Sequence, residues 1–142
     1  MPTSGGNQPA FLVNAQTVRA ILMVGAGGFV GSVCRYALSG LVHRWLPGVA
    51  FPVGTLAVNV LGCLTIGVLL GLAEGRQILG PDTRLFLLMG VLGGFTTFST
   101  FSYETLALVQ AGEYARSVVN VLASVVFALL AVWLGHQLGS SR

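Results

Sequence analysis

Four long apolar runs separated by short polar links make up most of the chain. The runs are residues 20–42, 53–73, 85–110 and 117–138, and each is near the length of about 20 apolar residues that a helix needs to cross a bilayer. The links, 43–52, 74–84 and 111–116, hold most of the proline, arginine and acidic residues, as helix-ending turns at a water interface should. The pattern predicts an all-α membrane protein with four transmembrane helices in a single domain, 20–138. A polar N-terminal tail, 1–19, precedes it, and a short C-terminal tail, 139–142, follows. A cleaved signal peptide would have an apolar core of only about 7–15 residues. The first run is longer, so it is expected to stay as a helix.

Composition agrees. Of the 142 residues only 8% are charged and 54% are hydrophobic, with a mean hydropathy of +0.85, whereas a soluble domain carries about 25% charged residues. The net charge of +3 comes from seven arginines against four acids, scattered along the chain. No basic patch for nucleic acid results. Cys34 and Cys63 lie inside apolar runs without metal-ligand or disulfide spacing.

Arginine placement bears on orientation. The tail, second link and C-terminus carry Arg19, Arg76, Arg84 and Arg142, while the opposite side carries Arg44 and Arg116, with Arg35 near that end of the first span. The bias is small. It favours both termini inside and also permits insertion both ways, hence an antiparallel assembly. Four helices are few to enclose a pore, which points to a dimer as the working unit. Gly27/Gly31, Gly67/Gly71 and Gly90/Gly94 form small-xxx-small pairs that fit either a dimer contact or packing within one chain.

Polar groups inside spans are costly and face the bundle interior or a water-filled cavity. Here they are Arg35, Asn59, Glu104, Asn120 and His136. Arg35 can snorkel or meet a carboxylate, and Glu104 is the acid within a span. Asn59, mid-span, either donates its amide protons to an anion or joins two helices.

The stretch GVLGGFTTFSTFSYE, 90–104, carries the most information. Gly93 and Gly94 followed by Thr96 and Thr97 weaken helical continuity at mid-span. A helix interrupted there releases carbonyls, which membranes tolerate where protein buries them or where they bind something. Two such breaks across a dimer axis would offer a ring of oxygens to a hard monovalent cation; a kink used only for packing is the other reading. Phe98 and Phe101 share a helix face, among Thr97, Ser99, Thr100 and Ser102. Phenyl edges carry partial positive charge and can meet a small anion beside hydroxyl and amide donors, or the stripe is packing.

GGFTTFSTFSYE in the third span, TLAVNVLG in the second and GGFVGSVCRY in the first together resemble the CrcB/Fluc family of fluoride channels. The resemblance implies an antiparallel, dual-topology homodimer in the bacterial cytoplasmic membrane, with fluoride pores at the subunit interface. It implies that Phe98 and Phe101 turn ring edges to fluoride, that Asn59 is the pore asparagine, and that Thr97, Ser99 and Thr100 line the path. Backbone carbonyls of Gly93 and Thr96 would hold a structural sodium ion, and Arg35 and Glu104 would be structural charges. The family has a polar track in the fourth helix. Asn120 and Ser124 occupy that region here, while Ala128 and Val132 beyond them are apolar.

Fluoride is small and strongly hydrated, so hydroxyl and amide donors must replace its water, and no fixed cation should trap it. A second reading is a small multidrug-type exporter coupled to protons. That mechanism wants a mid-membrane carboxylate, usually in the first helix, where this chain has Arg35. A scaffold without transport is a third. Catalysis is not expected, because no nucleophile and base stand at plausible spacing.

Overall fold

The computed structural model describes residues 14–73 and 80–141, all helix and connecting turns. Most of the tail (1–13), Glu74, Arg76 and Arg142 lie outside the described residues. Among the described residues, four helical spans are long and apolar enough to cross a membrane: Ala15–Trp45, Val53–Ala73, Pro81–Gln110 and Tyr114–Ser140. We number the helices α1 (Ala15–Trp45), α2 (Val53–Ala73), α3 (81–95), α4 (Phe98–Gln110) and α5 (Tyr114–Ser140). The third span is thus two helices, α3 and α4, with a break between them.

α2 has the limits expected. α1 starts earlier, at Ala15, because Asn14 caps it: its side chain accepts from the Thr17 amide at 2.8 Å, satisfying a donor that the first turn leaves over. Pro52 immediately precedes α2. Between α4 and α5, Gly112 takes φ +76 and the Glu113 amide reaches back to Leu108 O at 2.9 Å. This left-handed cap lets the chain reverse in three residues, 111–113.

Spans one and three pack together, as do spans two and four, and each pair runs parallel, as alternating crossings require. Both seams are made of glycine. Gly27 and Gly31 lie against the backbone of Phe86, Gly90, Val91 and Phe95, and Gly94 lies against Gly28. Gly67 and Gly71 lie against 132–140, where Gly135 and Gly139 return the contact onto Leu64, Val68, Gly71 and Leu72. Without a Cβ the backbones come close enough for dense van der Waals contact, which is what joins helices in lipid. All three glycine pairs seen in the sequence therefore have partners within the chain.

The buried apolar side chains among the described residues are few, Val58, Leu92 and Ala131, while large apolar groups such as Phe29, Tyr36, Trp133 and Leu138 face outward. This inversion of a soluble fold accompanies helices long and apolar enough to cross a membrane.

Candidate functional site

The approach to the break is a π-helical stretch, Leu85–Leu92, followed by one short α turn, Gly93–Phe95. Of the four residues expected to weaken the helix, Gly93 and Gly94 remain helical; Gly93 has φ −63 and ψ −37. The backbone opens at Thr96 (ψ 155) and Thr97 (φ −150, ψ 115). The β-branched residues take the extended backbone that suits them, and Gly94 serves the close approach to α1.

Each broken end is closed by a threonine. The Thr96 amide and hydroxyl both donate to Leu92 O, each at 3.0 Å. Thr97 caps α4: its Oγ1 accepts from the Thr100 amide at 3.2 Å and donates to Thr100 Oγ1 at 3.0 Å, with Ser99 Oγ 3.2 Å away. Asn59 on α2 then seals the gap. Its Oδ1 accepts from the Thr97 amide at 2.8 Å and its Nδ2 donates to Thr97 O at 3.1 Å. The side-chain amide thus acts as a short piece of strand paired with an extended residue.

This bonding changes which carbonyls are available. In an unbroken helix the Thr97 amide would bond Gly93 O and the Thr100 amide would bond Thr96 O. Here those amides go to Asn59 and to the Thr97 hydroxyl. Gly93 and Thr96 line the same cavity. Backbone oxygens are hard donors of the kind that could hold an alkali cation; among the described residues no three His, Cys, Asp or Glu side chains converge on a metal position.

That cavity, about 400 Å³, lies on the face of the break and is lined largely by apolar side chains. It gathers Asn59, Gly93, Thr96, Thr97, Phe98, Phe101 and Ser124. The rings of Phe98 and Phe101 are 5.4 Å apart, tilted by 46°. Phe98 is 79% exposed, so within one chain its ring has little covering it; Phe101 is half-buried.

A second cavity, about 270 Å³, holds Arg35 and Thr100 with Ser32, Ser39 and Thr55. Thr97 lines both cavities. Thr55 donates to Glu104 Oε1 at 2.8 Å, and Glu104 Oε2 is buried without a hydrogen-bond partner. Arg35 and Glu104 do not pair: the ion pairs among the described residues are Arg19–Asp82 and Arg116–Glu113. Ser99 is exposed beside the cap. Asn120 is buried, 1% exposed, and bonds Thr105; it is not among the residues lining the first cavity, where Ser124 is.

Sequence reading missed Thr55 and Thr105. Thr55 is one helical turn before Asn59 and Thr105 one turn after Phe101, so helical spacing from the residues singled out could have found both.

A family profile described as CrcB-like protein, Camphor Resistance (CrcB), matches residues 22–136. The chain is 51% identical over 117 residues to a fluoride-specific ion channel FluC of Opitutus terrae, covering 81% of this chain and 88% of that one. It is 50% identical over 115 residues to a protein of the same name from Geobacter sulfurreducens, with 81% and 92% covered. A third, from Methylobacillus flagellatus, is 43% identical over 118 residues, with 83% and 92% covered.

Proposed function

The chain belongs to the CrcB-like protein family, and from that membership we propose that it is a fluoride-selective channel. It is a multi-pass protein of the bacterial inner membrane, a conductor of ions and not an enzyme, and lets fluoride leave the cytoplasm passively. The observation that carries the reading is the convergence of Asn59, Thr97, the Phe98–Phe101 pair and Ser124 on one cavity at the helix break. The exporter reading has no such support: α1 holds Arg35 and no carboxylate.

The channel works as an antiparallel homodimer. Phe98, one of the two aromatics lining the cavity, is 79% exposed in one subunit, and a second copy would complete the wall it leaves open. The near balance of arginines on the two sides allows both insertions. In such a pore the ion trades water for threonine and serine hydroxyls and phenyl edges, each contact weak enough to release it. Larger halides are rejected by size.

A structural sodium ion fits the break. The carbonyls of Gly93 and Thr96 from each subunit would hold it, and its charge would fix the two broken helices against one another. The diversion of the Thr97 and Thr100 amides supports this donor set.

The test is fluoride release from liposomes carrying the purified protein, read with a fluoride-selective electrode and repeated with chloride. Fast fluoride release with no chloride release is the expected result. Release of neither ion, or release coupled to protons and an organic cation, would overturn the channel reading.

A further inference from the structure

We propose that Asn120 is a positioning residue that sets the pose of Phe101 through Thr105, and that the fourth span's direct contact with the ion falls to Ser124. The inference deepens the channel reading and rests on it.

Asn120 and Ser124 are one helical turn apart on α5, but their surroundings differ. Ser124 lines the cavity that holds both phenylalanines. Asn120 is 1% exposed and its Nδ2 donates to Thr105 Oγ1 at 2.8 Å. Thr105, on α4, donates its hydroxyl proton to Phe101 O at 2.7 Å. A hydroxyl has one proton and two lone pairs, so the direction of the chain is fixed. The Asn120 amide gives a proton to the Thr105 oxygen, and Thr105 gives its own to the Phe101 carbonyl.

That chain ties α5 to the backbone of α4 at the residue bearing the inner ring of the aromatic pair. Phe98 sits against Phe101 at 5.4 Å and is otherwise exposed, so holding Phe101 holds the pair. Linked hydrogen bonds polarise one another, and a buried donor left unpaired is costly. The height and rotation of α4 against α5 are therefore pinned at this point. A carboxylate at position 120 would reverse the chain: it only accepts, and would draw the Thr105 proton away from Phe101 O.

Thr105 gives the experiment, because the pore reading assigns it no contact with the ion. Full-length dimers carrying Thr105→Val, Thr105→Ser, Asn120→Ala, Ser124→Ala and the relevant doubles are reconstituted, and fluoride release is normalised to folded dimer, with melting temperature measured alongside. Thr105→Val should slow release roughly tenfold, the size expected for a broken buried hydrogen-bond chain, and Thr105→Ser should restore it. Asn120→Ala should slow release as much as Thr105→Val, and the Asn120→Ala/Thr105→Val double no more than either. Ser124→Ala should multiply with Thr105→Val, since it acts at a separate step.

Wild-type release from Thr105→Val beside a slow Asn120→Ala would mean that Asn120 meets the ion itself, and would overturn the proposal. So would lowered melting with unchanged release per folded dimer. If Asn120→Ala does not fold, the valine and serine variants at 105 decide alone. A wild-type protein that releases no fluoride defeats the channel reading instead.

Discussion

Asn59 pairs both backbone groups of Thr97, accepting from its amide at 2.8 Å and donating to its carbonyl at 3.1 Å. A break in a spanning helix leaves polar backbone without partners, each costly in a low-dielectric interior. One side-chain amide, presenting a donor and an acceptor together, meets both needs at once. Aspartate has the same shape but cannot donate, and its charge would oppose the Thr97 carbonyl. Asn59→Asp should therefore lower stability by about 1–3 kcal/mol and abolish fluoride release. Denaturant titration in detergent with the electrode assay checks this; a normally conducting aspartate variant would show that the clamp is dispensable.

Phe98 separates the demands of function from those of folding. Its ring is 79% exposed in the subunit, so exchanging it for isoleucine removes little packing within the chain. The subunit fold should hold to within about 0.5 kcal/mol, whereas fluoride release should fall to background because the phenyl edge is gone. Release at the wild-type rate from Phe98→Ile liposomes would remove Phe98 from the path.

The spans were legible because an apolar run of membrane length admits few other readings, and for α2 the run and the helix coincide at Val53–Ala73. The ends of α1 and α5 were not, since polar residues such as Gln16, Arg19, Arg116 and Ser140 continue a helix once the apolar stretch has set it. The break was expected across Gly93, Gly94, Thr96 and Thr97 and lies at the threonine pair, Thr96–Thr97. Glycine's conformational freedom is a weak constraint beside the close backbone contact that Gly94 makes with Gly28. Asn59 could be picked out as a mid-span amide, but its partner stands 38 residues away, and no local pattern carries that pairing.

The glycine seams make opposite predictions for two alanine substitutions. A Cβ at Gly135 would come within 2.9 Å of Val68 N and 3.1 Å of Gly67 Cα, backbone atoms that cannot swing aside. Gly135→Ala should cost about 1–3 kcal/mol by forcing α2 and α5 apart. At Gly40 no atom lies within 4 Å, and there alanine should be neutral or stabilise by up to about 1 kcal/mol through the entropy that glycine loses on folding. Thermal unfolding of the two purified variants decides it, and equal melting points would show that the seam yields.

Sodium binding is tested by separating backbone from side chain at Thr96. Its carbonyl is the proposed ligand, while its hydroxyl donates to Leu92 O at 3.0 Å. A ligand at 100 times its dissociation constant stabilises the folded state by about 2.7 kcal/mol. Replacing all sodium by N-methylglucamine should therefore lower the melting temperature of the wild type, and returning sodium should restore it. Thr96→Val loses the hydroxyl bond but keeps the carbonyl. It should melt lower than the wild type in either salt, with the same gap between them. If the wild type melts identically in both salts, the released carbonyls of Gly93 and Thr96 hold no sodium; if the gap closes in Thr96→Val, the hydroxyl rather than the carbonyl is what the ion needs.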